Sequence, residues 1–372
     1  MNDVVAVIGA GTMGAGIAQV ALEAGDVVRL YDIDAAARER GHARIAEGLA
    51  RRAAKLELDA HAIDDWIAGR LARLATVGAL EAAVDGAELV IEAALEDLPV
   101  KRELFSRLDG AAPPDTILAT NTSALRVGDV AAATSRPENV IGLHFFNPAP
   151  LMALVEVIAT PATAASIVER ASDIVRRWGK TPVRSTDSPG FIVNRVNRPF
   201  TLEALRMLET GAGTIEEIDA AVVAAGFPMG PFALMDLVGI DINLAAARGV
   251  FEGFGGGAVP EAARFLPSPI QERLVAAGRL GRKAGVGFYR YGANGRPDGP
   301  AEEFVPLGRH IEGPRLDPAD IAGRIVTAIV AEAGRAQADG VASAADIDLA
   351  MKLGAGHPWG PFEWVARATI LE

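Results

Sequence analysis

The sequence predicts an α/β domain built on a parallel sheet, followed by an all-α region that is partly duplicated. Three observations predict it. A β-prone run, Val4 to Ile8, leads through a glycine-rich turn into a helical stretch, Ala15 to Ala24, and then into a second β-prone run that ends at Asp32. Further strand signals follow at Leu89 to Ile91 and Thr116 to Ala119, and they stop at Gly190, beyond which the apolar positions keep a helical period. Finally, Ile218-Asp219 through the string GFPMGPF recurs as Ile347-Asp348 through GHPWGPF.

Composition narrows the function classes. With 372 residues, 50% of them hydrophobic, the chain has enough apolar material for two or three cored domains. No apolar run reaches the length needed to span a bilayer, and the first strand signal begins too early for a signal peptide. The net charge of -12 argues against a general nucleic-acid binder, and no membrane association is expected. Cysteine is absent, which removes disulfides, thiolate metal sites and a cysteine nucleophile. That composition fits a reducing compartment, and a cytoplasmic location is the expectation. The histidines and acids lack ligand spacing, so no metal is expected.

The opening segment reads as a dinucleotide site. In Gly9-Ala-Gly11-Thr12-Met13-Gly14, the first glycine permits a tight turn, the second lets the backbone approach a pyrophosphate, and the third lets helix and strand pack closely. The helix that follows presents free N–H groups and the positive end of its dipole to the phosphates. Asp32, at the end of Val27 to Tyr31, is placed to accept from both ribose hydroxyls and would repel a 2′-phosphate, which selects NAD over NADP.

Asp34 to about Ala75 reads as helical and charged, with no strand signal. It contains the basic cluster Arg51, Arg52 and Lys55, either a local anion site or a solvated helix face. Leu89 to Ile91 reads as a buried strand, with Glu92-Ala-Ala-Leu-Glu96 beyond its carboxyl end, where ligands gather on such sheets. An amphipathic helix, Val100 to Leu108, precedes the strand Thr116 to Ala119, and Asn121-Thr-Ser123 lies just past it. Those polar residues form a ligand rim or serve as caps and turn formers.

Gly142 to Val157, GLHFFNPAPLMALVEV, is the most informative stretch. His144 ends one apolar run, a turn with Pro148 and Pro150 follows, and a second apolar run carries Glu156. Two strands folded back on each other would bring that carboxylate against that imidazole, giving a tuned proton acceptor. A buried core histidine is the plainer reading of His144 taken alone. His42, His61 and His310 lie outside these patterns and are read as surface residues.

GAGTMGAGIAQ, NTSAL, GLHFFNPAPLMALVEV and SPGFIVNR occur in this order, and together they resemble the L-3-hydroxyacyl-CoA dehydrogenase family, nearest to its 3-hydroxybutyryl-CoA type, over residues 1 to about 290. The resemblance implies a Rossmann-type domain followed by a helical domain, with the active site in the cleft between them. It implies NAD as cofactor, an acyl-CoA substrate and a place in fatty-acid β-oxidation. By motif, His144 matches the catalytic base and Glu156 its carboxylate partner. Ser123 matches the serine that hydrogen-bonds the substrate oxygen at C3, and Asn194 the asparagine that helps hold substrate and histidine. Glu96, Lys101, Asn121 and Asn147 match positions lining the nicotinamide half, and Lys283, in GRKAGVGFY, a lysine near the cofactor. Lys55 matches a helix lysine that meets the CoA phosphates. The base would take the 3-hydroxyl proton as hydride leaves C3, while the carboxylate stabilises the imidazolium and fixes its tautomer.

Beyond Gly190, Phe191 to Glu209 reads as one long helix, Thr214-Ile-Glu-Glu217 opens the next with a capping box, and Asp236 reads as a cap. Ile321 to Arg335 can be laid over Ile192 to Arg206, which sets Gly323 opposite Asn194. The division expected is a nucleotide-binding domain over 1–187, a helical domain over 188–291, a linker over 292–314 and a partial helical repeat over 315–372. In the family the helical domain mediates dimerisation, and in longer, fused relatives a second copy takes the partner's place. Either a monomer with an internal pseudo-dimer contact or a homodimer is therefore expected. His357 and Trp359 read as packing residues. Two other functions stay open at this level: a dehydrogenase of a free hydroxy or sugar acid, and a non-catalytic NAD-binding scaffold.

Overall fold

The computed structural model describes residues 3–57, 59–301 and 314–371. The chain divides into two compact units, Met1–Ser188 and Pro189–Glu372. The first unit holds strands β1 (Val4–Ile8), β2 (Val27–Tyr31), β3 (Leu74–Val77), β4 (Leu89–Glu92), β5 (Ile117–Thr120), β6 (Val140–Phe145), β7 (Leu154–Ala159) and β8 (Thr181–Thr186). They form one sheet in the order β3-β2-β1-β4-β5-β6-β7-β8. All pairings are parallel except β6 with β7. Its central strands β4, β5 and β6 are buried along their whole length, which is why they read as unbroken apolar runs.

Helices α1 (Thr12–Ala24), α2 (Ala35–Ala53), α3 (Ala60–Leu71), α4 (Leu80–Val84), α5 (Leu98–Ala111), α6 (Val127–Ala131) and α7 (Ala165–Arg177) complete this unit. Ile17, Leu22, Leu30, Leu49, Ile91, Val157 and Ile174 belong to one continuous core. Two details differ from the sequence expectation. β3 begins at the end of the stretch read as free of strands. It is an edge strand whose middle residues are exposed, so its apolar signal is weak. Lys55 lies in the turn after α2, not on the helix, because the last helical turn closes at Ala54 and Asp59 then caps α3.

The second unit holds α8 (Val193–Val196), α9 (Arg198–Glu209), α10 (Ile215–Ala224), α11 (Pro231–Val238), α12 (Ile240–Gly253), α13 (Pro269–Ala276), α14 (Pro318–Ala338), α15 (Ala344–Ala355) and α16 (Pro361–Leu371). The expected single helix from Phe191 to Glu209 is broken. Phe191 adopts φ 50, α8 spans only four residues, and Pro199, lacking an N–H, starts α9 afresh after Asn197. Strands also return after Gly190. β9 (Tyr289–Tyr291) pairs with β10 (Pro297–Pro300), so part of the expected linker is a hairpin, while residues 302–313 and His310 lie outside the described residues. Asp236 does not cap its helix. Its carboxylate accepts from the Phe288 and Tyr289 amides at 2.9 and 2.8 Å and so fastens β9 to α11. Among the described residues no helix is long and apolar enough to cross a membrane.

Candidate active site

His144 and Glu156 are directly paired across β6 and β7, so strand geometry alone puts both side chains on one face of the sheet. His144 Nδ1 lies 2.6 Å from Glu156 Oε2, and Nε2 lies 3.2 Å from Ser123 Oγ. The imidazole is 4% exposed and the carboxylate fully buried, whereas Ser123 is exposed. A carboxylate can only accept, so with Glu156 ionised the Nδ1 proton is donated to it and Nε2 presents its lone pair toward Ser123. The Phe146 ring lies 4.6 Å from the imidazole, centroid to centroid. Asn121 joins the neighbouring strands, its Oδ1 accepting from the Phe145 amide at 2.8 Å.

A second cluster holds Ser123 in place. Glu96 Oε1 accepts from Thr122 Oγ1 at 2.6 Å and from the backbone amides of Ser123 and Ala124 at 2.9 and 3.1 Å. Burial works to raise the Glu96 carboxyl, but the Lys101 charge and the bonds from Thr122 and Ser123 outweigh it and hold it below the ordinary value. Lys101 is itself buried, its ammonium 2.6 Å from Glu92 and 3.3 Å from Glu96. Glu92 also accepts from Thr120 Oγ1 and the Ala94 amide, both at 2.7 Å. Lys101 therefore faces carboxylates of its own chain. The sequence places Glu92 only among the polar residues beyond β4, with no role of its own, although a carboxylate ending an unbroken apolar strand was a usable signal.

Asn147 is exposed at the start of the turn between β6 and β7 and precedes a cis bond to Pro148. Lys180 fastens that turn by donating to the carbonyls of Ala149, Pro150 and Met152 at 2.7, 3.2 and 2.8 Å. Burial lowers its ammonium pKa. Nothing in the sequence marks Lys180, since a lysine opening a strand is commonplace.

The residues around the glycine turn fit a dinucleotide. A Cβ on Gly9 would lie 2.5 Å from the Ala93 carbonyl oxygen, and one on Gly14 would lie 1.8 Å from that of Gly9, so both are required by the chain's own packing. A Cβ on Gly11 would meet nothing within 4 Å, which leaves open space over the backbone where a pyrophosphate would approach. No side chain caps α1, so the first-turn amides around Thr12 and Met13 are not claimed by one. Asp32 is held by the amides of Ala10 and Asp34 at 2.9 and 3.0 Å, with lone pairs left for ribose hydroxyls.

Lys55 is exposed. Asn194 is half-buried on α8 of the second unit. Lys283, also in the second unit, donates to both carboxylate oxygens of Asp241 at 2.6 and 2.7 Å. His42 and His61 are exposed. His357 is buried, its Nε2 2.9 Å from Asn197 Oδ1.

Comparison with known proteins shows the family. The model for the 3-hydroxyacyl-CoA dehydrogenase NAD binding domain matches residues 4–188, and that for the 3-hydroxyacyl-CoA dehydrogenase C-terminal domain matches residues 190–291 and again 321–370. The chain is 38% identical to 3-hydroxyadipyl-CoA dehydrogenase of Escherichia coli K12, over 98% of this chain and 90% of that protein. It is 44% identical to the mitochondrial hydroxyacyl-coenzyme A dehydrogenase of Rattus norvegicus, over 77% of this chain and 90% of that protein. A crystal structure of 3-hydroxybutyryl-CoA dehydrogenase from Escherichia coli K12 superposes with a TM-score of 0.87 at 37% identity, covering 99% of this chain and 92% of that one. The chain belongs to the 3-hydroxyacyl-CoA dehydrogenase family and is an NAD-dependent dehydrogenase whose first unit is the NAD-binding domain.

Proposed function

We propose that this chain catalyses the reversible oxidation of the 3-hydroxyl of an L-3-hydroxyacyl-CoA to the 3-oxoacyl thioester, with His144 as general base. The pairing that supports this reading is His144 Nδ1 to Glu156 at 2.6 Å with Ser123 at the opposite ring nitrogen. Nε2 accepts the hydroxyl proton, and Glu156 stabilises the imidazolium that results. Ser123 donates to the substrate oxygen at C3. Bound NAD supplies the hydride acceptor. General-base assistance of this kind is worth roughly 10²–10⁴-fold in rate.

Glu96, Asn121 and Asn147 are assigned to the nicotinamide half, and Lys101 acts there through its contact with Glu96. Asn194 is assigned the substrate amide from its motif alone, Lys283 a place near the cofactor, and Lys55 the CoA phosphates. A cytoplasmic location accompanies this reading, as the cysteine-free sequence leads one to expect. Residues 315–372 are assigned the place that a partner's helical domain takes in a dimer, which makes the chain a monomer with an internal pseudo-dimer contact.

The test is a panel of 3-oxoacyl-CoA thioesters from short to long chain, with one dicarboxylic member, and a free 3-oxo acid beside them, all followed by NADH consumption. The dicarboxylic thioester belongs there because the full-length relative is named for 3-hydroxyadipyl-CoA. Turnover of thioesters but not of the free acid is the expected result. Equal consumption of the free acid, or NADH binding without any oxidation, would overturn the proposal.

A further inference from the structure

The helix that carries Asn194 has almost no means of holding itself in place. α8 spans four residues, far below the length at which a helix is stable on its own. It is entered through Phe191 in a left-handed conformation and left through the break at Asn197. Its orientation is therefore set by what its side chains bind, and two of those partners come from the C-terminal repeat.

Arg195, the residue after Asn194, is 1% exposed. Its Nε donates to Glu332 Oε1 at 2.8 Å and its Nη2 to Asp339 Oδ2 at 2.6 Å. Glu332, on α14, is equally buried, and its other oxygen accepts from Arg264 at 2.7 Å. Asn197 accepts at 2.9 Å from Nε2 of His357, which lies in the turn between α15 and α16. Burial pushes that imidazole down to about 4, so it is the neutral ring that donates.

These contacts form one half of a reciprocal set. When the two copies are overlaid, Arg195 corresponds to Arg324 and Glu203 to Glu332. Arg195 binds Glu332, and Arg324 binds Glu203 at 2.9 Å. Phe227 and His357 are also corresponding residues, and they meet edge to face at 4.9 Å. Residue i of one copy contacting residue j of the other, and the reverse, is the signature of a two-fold contact, here within one chain. The two halves are not equal. Both members of the Arg195–Glu332 pair are 1% exposed, while Arg324 and Glu203 are 41% and 12% exposed. The buried pair stands beside the asparagine, and the exposed pair stands beside Gly323, which has no amide to place.

We infer that Glu332, with Asp339 and His357, is a positioning residue supplied by the repeat: it clamps Arg195 and so fixes Asn194 toward the substrate. A buried ion pair is a poor source of net stability but a good source of fixed geometry. The inference rests on the reading of Asn194 as the amide that holds substrate.

The test is a double-mutant cycle in the full-length chain with Glu332→Gln and Asn194→Ala, reading kcat, KM for 3-oxoacyl-CoA, NADH affinity and thermal unfolding. Glutamine keeps the size and one acceptor oxygen, and Asp339→Asn, at the exposed end of the clamp, serves where Glu332→Gln folds poorly. Glu332→Gln should lower kcat/KM for the thioester roughly tenfold with NADH affinity unchanged, as expected for misplacing a substrate-binding group. In the Asn194→Ala background the same change should cost less than about twofold, because coupled residues do not add. Equal losses in both backgrounds, or a parallel loss of NADH binding, would show a merely structural pair and overturn the clamp while leaving Asn194 in its role. An Asn194→Ala variant with unimpaired kcat/KM would overturn the reading of Asn194, and the clamp's function with it.

Discussion

His144 and Glu156 are register partners on antiparallel strands, and their side chains meet at 2.6 Å. The pairing makes the geometry of the proposed base a property of the sheet itself rather than of a loop. His144→Gln should lower kcat by at least about a hundredfold, the low end of what a positioned base supplies. NADH binding, read by fluorescence titration, should survive, because the substitution leaves the glycine turn after β1 and Asp32 after β2 untouched. Glu156→Gln should cost a smaller but still large factor, about tenfold or more. Retention of most of the rate in the histidine variant would remove His144 from the mechanism.

Asp32 is pinned by the amides of Ala10 and Asp34, which leaves lone pairs for the ribose hydroxyls it is proposed to hold. Asp32→Ala should therefore raise the KM for NAD by about tenfold or more, the loss expected of charge-assisted hydrogen bonds, and leave kcat near the parent value. Steady-state kinetics at saturating thioester distinguish this from a change confined to kcat, which would contradict the assignment.

The pair Lys101–Glu92 is buried at 1% and 0% exposure, and the two partners differ in what remains when one is lost. Without Glu92, Lys101 still meets Glu96 at 3.3 Å. Without Lys101, Glu92 keeps only the Thr120 hydroxyl and the Ala94 amide, so a buried charge loses its counterion. Lys101→Met should thus destabilise the first unit by about 3–5 kcal/mol and Glu92→Gln by clearly less. Urea unfolding of both variants tests the order, and an equal or reversed loss would contradict it.

How far the sequence disclosed these arrangements depends on how local each one is. The strand, glycine turn, helix and Asp32 are consecutive, and each has its own residue signature, so the nucleotide half was legible. The His144–Glu156 pair was legible because alternation along a strand and a proline turn fix a register. β3 was not, since an edge strand with exposed Ala75 and Thr76 carries too little apolar signal. Pro199 warned against a continuous helix from Phe191 to Glu209, but apolar periodicity outweighed it. The Arg195–Glu332 contact joins residues 137 positions apart, and only the fold brings them together.

Two carboxylates of the second unit give its stability a particular pH dependence. Burial raises Asp219 and Asp236 to about 6, against the bonds each accepts from backbone amides and from the Tyr289 and Tyr291 hydroxyls. A folded pKa above the unfolded value means that the folded state binds protons more tightly. The stabilisation is complete below about pH 4 and is lost as pH rises through about 6. Each shift of about two units corresponds to about 3 kcal/mol. Asp236→Asn should flatten the fall in unfolding free energy between about pH 4.5 and about pH 7, measured in urea. A variant whose pH profile parallels the parent's would contradict the account.

The repeat covers apolar surface that the first copy cannot cover itself. On α14, Ile321, Ile325 and Ile329 recur every fourth residue and are at most 2% exposed. Each buried isoleucine contributes about 1.5–3 kcal/mol. Around this stripe Arg315 pairs with Glu217 and Arg324 with Glu203, and the Leu316 amide donates to the Ala212 carbonyl at 3.0 Å. Deleting residues 315–372 would uncover the face beneath and strand the buried Arg195 without Glu332. The truncated chain should therefore self-associate or aggregate, while the full-length chain runs as a monomer in size-exclusion chromatography with light scattering. A full-length homodimer would contradict the internal replacement of a partner. A truncated chain that stays soluble, monomeric and active would show that the repeat covers nothing the enzyme needs.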